Sequence, residues 1–164
     1  MKEPRIEHAL SLRLAGLKRN ISLAKNETFL LWRSFMPLIK EIKARAGTEL
    51  YSVEIYPPDY FMHFSPEREF EKWAAAPVTE AFQPNEPLQL LEIPGGLYAV
   101  FLYRGMSSEA HKAYQYIFGE WMPNSDYTAD NRPHFAVMGD NYRNDHPESE
   151  EELWIPVKKT SLLE

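Results

Sequence analysis

The chain repeats itself, and that limits its possible folds more than any other feature. Leu31-Trp-Arg-Ser-Phe-Met-Pro37 corresponds to Ile117-Phe-Gly-Glu-Trp-Met-Pro123, an offset of 117 − 31 = 86. Upstream, Leu17-Lys-Arg-Asn-Ile-Ser22 corresponds to Leu102-Tyr-Arg-Gly-Met-Ser107 at 102 − 17 = 85. Downstream, 53–56 matches 135–138 in residue class at an offset of 82, and Glu71-Lys-Trp73 matches Glu152-Leu-Trp154 at 81. Offsets that fall steadily along the chain are what short loop deletions produce. Each half reads strand–helix–strand–strand, and neither buries a helix face alone, so the two share one core. The expected fold is α+β: one antiparallel sheet, both helices on one face, and a pseudo-twofold axis between the halves. The expectation is a single domain over 1–164, with half-repeats at about 10–82 and 88–160. A groove between the two repeats is a natural place for a ligand.

Apolar alternation predicts strands over 10–23 (bending near Gly16), 50–56, 88–93, 97–103, 133–138 and 150–159. Leu31, Phe35, Leu38 and Ile42 recur at helical spacing, so a helix is predicted to about Ala46, capped by Asn26 and kinked at Pro37. A second helix starts at Ser107 or Ser108, with Ala110, Tyr114, Ile117 and Trp121 on its inward stripe. Residues 60–64 form a short aromatic strand or turn, and 70–80 is divided between helix and strand: its alanines favour one, Pro77 and the repeat the other.

The chain has no cysteine, so disulfides and thiolate metal sites are excluded. The five histidines form no close pair at ligand spacing, and neither a metal nor a cofactor is expected. A net charge of −6 argues against direct nucleic-acid binding. No run is long enough to span a membrane and no signal-peptide core follows Met1, so a soluble cytoplasmic protein is expected. Aromatic residues make up 13% of the chain, more than a small core needs, which favours an aromatic-lined cavity or interface.

The last strand carries the chemistry. Along it Glu152 and Trp154 share one face, and Leu153, Ile155 and Val157 share the other. A carboxylate beside Trp on a strand covered on both sides either reaches solvent at the strand's start or sits in a pocket. Glu152 with Trp154, Trp121, Trp32 and Tyr103 would make an anionic aromatic cage for a flat lipophilic cation. In an apolar pocket the same carboxyl could work as a general acid or base, with Tyr103 or Tyr142 positioning water or substrate. Core packing is the competing reading for Trp121 and Tyr114, since a helix normally buries its own stripe.

Pro94-Gly95-Gly96-Leu97-Tyr98-Ala99-Val100, Trp121-Met122-Pro123-Asn124-Ser125-Asp126-Tyr127 with Arg132-Pro133, and Glu152-Leu153-Trp154-Ile155-Pro156-Val157 together resemble the GyrI-like small-molecule-binding superfamily. These are the effector-binding domains of AraC-type and multidrug-binding regulators. The resemblance implies that Glu152 lies in the groove and faces the ligand. It also leaves open a hydrolase, since some relatives hydrolyse strained cyclopropane-bearing compounds, and an inhibitory protein-binding module, since one relative inhibits gyrase. No helix-turn-helix segment is present in the sequence. The expectation is a binder of an aromatic or cationic lipophilic small molecule, related to transcription regulation. A homodimer or a separate protein partner is left open, and Glu152 is catalytic only in the hydrolase alternative.

Overall fold

A computed structural model describes residues 1–160. The first half runs β1 (Arg5–Ala9), β2 (Leu12–Ile21), α1 (Thr28–Phe35), β3 (Leu50–Ile55) and β4 (Phe70–Pro77). The second runs β5 (Gln89–Ile93), β6 (Gly96–Arg104), α2 (Ala110–Tyr116), β7 (Tyr127–Ala129), β8 (His134–Met138) and β9 (Glu150–Lys159). The strands form one antiparallel sheet in the order β1-β6-β9-β8-β3-β4-β2-β5, with β7 added beside β9. Exchanging the halves (β1 for β5, β2 for β6, β3 for β8, β4 for β9) reads the same order backwards. Val53 pairs with Phe135, and 135 − 53 = 82 is the repeat offset found in sequence. The pseudo-twofold axis therefore passes through that pair.

Strands β1 and β7 are not expected from the apolar alternation, and β1 has a large consequence. It pairs with β6 of the other half, and β5 reciprocally pairs with β2. Yet β1 joins β2, and β5 joins β6, through only two residues each (10–11 and 94–95). Three Cα steps reach about 11 Å, so the two ends of the sheet must approach one another and the sheet curls. The two links meet where they cross: a Cβ on Gly95 would lie 2.6 Å from the Ala9 carbonyl oxygen, so only glycine fits. Gly96 makes room for the Arg132 guanidinium in the same way. Arg132 donates to the Leu97 carbonyl at 2.6 Å and lies 4.7 Å over the Tyr98 ring. These two stretches of the sequence motif thus form a clasp.

Curling creates an inside. Tyr51, Val53, Trp73, Tyr98, Val100 and Phe135 point away from the helices, yet all are buried, joined there by Leu14 and Ile93. The rings touch as Phe135–Trp154 (5.3 Å, 17°), Tyr98–Phe135 (5.2 Å) and Tyr51–Phe135 (5.6 Å). Five aromatic residues, Tyr51, Trp73, Tyr98, Phe135 and Trp154, fill this concave face. On the convex face, α1 lays Leu31 and Phe35 over Ala15, Ala74 and Ala76. There α2 lays Ala113 and Ile117 over Ala99, Phe101, Leu153 and Ile155. Both helices occupy one face, as the repeat implied.

Locally, the end of the first helix and the cap of the second differ from expectation. The first helix ends at Phe35 and tightens into a 3-10 turn, Met36–Glu41, instead of continuing kinked to Ala46. Pro37 has no N–H to give the Arg33 carbonyl, which removes the bond that would continue the α-helix. Asn26 does hold the entrance, accepting from the Thr28 N–H at 3.1 Å. Ser107 and Ser108 do not cap the second helix, because their hydroxyls turn to Tyr142 and Asp145. β2 runs through Gly16 without interruption, and a Cβ there would lie 2.1 Å from the Ala74 carbonyl oxygen, so glycine allows the close approach to β4. Residues 70–77 are strand despite their alanines, since burial on both faces outweighs local helix preference. Residues 60–64 form a turn.

Candidate functional site

The register of β9 divides the expected cage. Tyr103 pairs with Glu151 and Leu102 with Glu152, and paired residues in an antiparallel ladder point to the same side. Tyr103, Leu153 and Phe101 pack under α2, so Glu152 and Trp154 point the other way, to the concave side. Trp121 packs edge-on against Phe101 at 5.1 Å, and Trp32 against Phe35 at 5.8 Å, both on the helix side. The five residues therefore do not converge. Glu152 and Trp154 stay together, while Trp121, Trp32 and Tyr103 lie across the sheet from them. Alternation sorts a strand's residues into two sets, but it does not say which set faces the helices.

At the concave mouth, Glu152 is held from two sides. The Trp154 indole N–H donates to its Oε1 at 3.1 Å, and the Arg5 guanidinium lies 3.0 Å from its Oε2. Arg5 also sits 5.7 Å over the Trp154 ring, which is stacked in turn on Phe135. A cation thus lies on an indole beside a carboxylate, within the range of cation–π attraction. The Glu152 and Arg5 side chains are 34% and 49% exposed, so solvent reaches the contact. Burial keeps the Tyr51 and Tyr98 hydroxyls neutral, pushed up to about 12.

The pseudo-twofold repeats the Glu-x-Trp pair, and a cation from a non-equivalent strand meets it. The Trp73 indole N–H donates to Glu71 at 2.6 Å, and the Lys18 ammonium lies 3.7 Å from Glu71 and 5.9 Å over Trp73. The repeated Glu-x-Trp was visible in the sequence. The two cations were not, because Arg5 and Lys18 come from strands brought alongside only by sheet pairing.

Between the helices the sheet carries a different cluster. Glu54 and Lys72 are paired and nearly buried. Glu151 stands beside them, and burial raises its carboxyl to about 7, helped by Glu54 and opposed by Lys72. Tyr103, Tyr114 and Tyr142 are close enough to feel its charge. In sequence Glu151 was lost in an acidic run, although alternation with Leu153 would have found it. His134 lies on the same face against Tyr56 at 5.0 Å, and burial, then Arg132, lowers it to about 4.

The His134 shift has a measurable consequence. A folded value below the ordinary 6.5 gives stability that is present above pH 6.5 and lost as pH falls through 4. The amount is roughly 3 kcal/mol at 1.36 kcal/mol per pH unit. His134→Gln is therefore expected to show a shallower loss of stability than the parent between pH 6.5 and 4. Urea titrations at both ends of that window check it, and parallel losses would refute it.

Two open cavities border these clusters without including Glu152 or Glu151 in their lining. One of them, about 650 Å³, lies between the start of β1 and the end of α2 and includes Trp121. Among the described residues no group of three His, Asp or Glu could hold a metal ion, and no helix is long and apolar enough to cross a membrane.

The family described as GyrI-like small molecule binding domain matches residues 2–158. No curated protein matches the chain. Among solved structures, SAV2435 bound to tetraphenylphosphonium is similar at 15% identity and a TM-score of 0.69, over 96% of this chain and 94% of that one. A putative bacterial transcription regulation protein from Staphylococcus aureus MU50 is similar at 15% identity and a TM-score of 0.65, over 96% and 99%. A hydrolase encoded by lin2189 from Listeria innocua is similar at 12% identity and a TM-score of 0.61, over 95% and 92%. At these identities the likeness to each is one of fold.

Proposed function

The chain belongs to the GyrI-like small molecule binding domain family, and from that premise we propose that it binds a lipophilic organic cation at the mouth of the curled sheet. Glu152 is the counter-charge, and Trp154, backed by Phe135, is the ring on which the cation lies. The observation that carries this reading is Arg5, which already places a delocalised cation on that ring and against that carboxylate. A ligand with the same charge and more apolar surface competes with it. The side chain that would be displaced stays in water, because among the described residues β1 pairs only with β6 and Arg5 is half exposed. The tetraphenylphosphonium bound to SAV2435 is a cation of this class. The fold shared with a putative transcription regulation protein supports effector recognition as the purpose of such binding.

Tetraphenylphosphonium titrated against intrinsic tryptophan fluorescence tests this. Glu152→Gln should weaken binding about tenfold, and Arg5→Ala should tighten it, because a charge-assisted contact is worth roughly 1.5–3 kcal/mol. Equal affinities in parent and Glu152→Gln proteins would overturn the reading.

A second reading rests on Glu151. A carboxyl held at about 7 among tyrosines is matched to acid–base work near neutral pH, and a protein of this fold is named a hydrolase. If the chain turns over a strained or electrophilic small molecule, Glu151 carries the proton. Glu151→Gln would then abolish turnover while Glu152→Gln retained it.

A further inference from the structure

We propose that the cleft between β1 and the end of α2 is a second ligand site, which takes a flat aromatic cation. Its volume of about 650 Å³ lies within the range of small-molecule sites. The walls are aromatic and apolar: Tyr116, Trp121 and Tyr127, with Ile6 and Pro4 across from them. Trp121 and Tyr127 lie nearly parallel, 11° apart with centroids at 6.2 Å, and both are half buried. Glu3, Glu120 and Asp126 form the rim, and among the described residues no basic one lines the cleft. Lys159 stands opposite Tyr127 in the β7–β9 ladder but is not part of the lining. Apolar rings beneath a rim of one sign of charge concentrate cations with a flat apolar body.

The wall is built by an irregularity. The end of α2 widens into a π-helical turn, Ile117–Trp121, closed by the Met122 N–H donating to the Ile117 carbonyl at 2.8 Å. Trp121 ends that turn; one edge of its ring packs on Phe101 and the ring also borders the cleft. Such turns occur often at functional sites. The loop behind the ring is fixed, with Asn124 donating to the Glu120 carbonyl at 2.8 Å and Ser125 to the Met122 carbonyl at 2.9 Å. The wall is therefore preorganised, which lowers the ordering cost of binding. Position also separates this site from the Glu152 mouth. Ile6 pairs with Ala99, which packs under α2, whereas Arg5 faces the concave side.

Ethidium is a suitable probe because its fluorescence rises when it leaves water. It is titrated against full-length Glu152→Gln protein, in which the concave mouth lacks its counter-charge. The expected result is one bound equivalent, with affinity that falls as salt screens the exposed rim. Adding Glu120→Gln and Asp126→Asn should weaken it at least about tenfold, since both carboxylates face the ligand. These exposed positions carry the test because Trp121 also packs on Phe101, so its loss could disturb folding. The proposal is overturned if Glu152→Gln protein binds no ethidium, or if removing the two rim charges leaves the affinity unchanged. Neither result bears on tetraphenylphosphonium binding at Glu152, so the two sites succeed or fail separately.

Discussion

At pH 8, replacing Glu151 with Gln is expected to make the protein more stable, by about 2 kcal/mol. The carboxyl titrates at about 7 instead of 4.5. A raised folded value gives stability that is fully present below pH 4.5 and lost as pH rises through 7. The span, 7 − 4.5 = 2.5, corresponds to roughly 3 kcal/mol at 1.36 kcal/mol per pH unit. Because the residue is half buried, solvent screening reduces this to about 2 kcal/mol. Glutamine keeps the shape and cannot ionise, and the Glu54–Lys72 pair next to it stays complete. For a chain of this length the melting temperature should rise about 4–8 °C at pH 8 and hardly at all at pH 4.5. Equal gains at the two pH values would mean that ionisation is not the cause. A loss at pH 8 would mean that Glu151 is a structural ion-pair partner. The expected direction is itself informative: the chain carries an ionisable group that costs stability at neutral pH, as functional sites often do.

The second large effect is a loss. Phe135→Ala should lower stability by about 3–5 kcal/mol, the usual cost of removing a buried aromatic ring. That is about 10 °C in melting temperature. Phe135 stands on the pseudo-twofold axis opposite Val53 and touches Tyr51, Tyr98 and Trp154. The surrounding strands cannot collapse onto the gap, because the two short links at the sheet's ends hold the curl. Trp154 also loses its backing ring, so tetraphenylphosphonium affinity should fall with stability even though Glu152 is untouched. Chemical denaturation of Phe135→Ala beside Phe135→Leu checks the estimate, with leucine expected to recover most of the loss. A cost below about 1 kcal/mol for alanine would mean that the concave face is not a closed interior.

Several strands, the pairing of helices with halves and the repeated Glu-x-Trp were legible because they are local. Alternation, helical spacing and a fixed offset are carried by neighbours in the chain. The helix ends were legible less well. Pro37 was seen, but its effect was a change to 3-10 geometry; Ser107 looked like a cap until Tyr142, 35 residues on, took its hydroxyl. Trp121 packs inward on Phe101, as its spacing implies, but the π-helical turn that ends at it has no local signal in the sequence.

By itself the sequence determined the doubled α+β architecture, the family, and the fact that Glu152 and Trp154 face the same way. The tertiary structure decided which way that is. Period two divides a strand into two faces without naming either, and only the exchange of β1 and β5 between halves curls the sheet and makes one face an interior. The same exchange brings Arg5 to Glu152 across 147 residues of chain, 152 − 5 = 147. It also leaves Glu151, one position earlier, among the tyrosines on the helix side. A contact between residues so far apart is set by strand order, which no local pattern encodes.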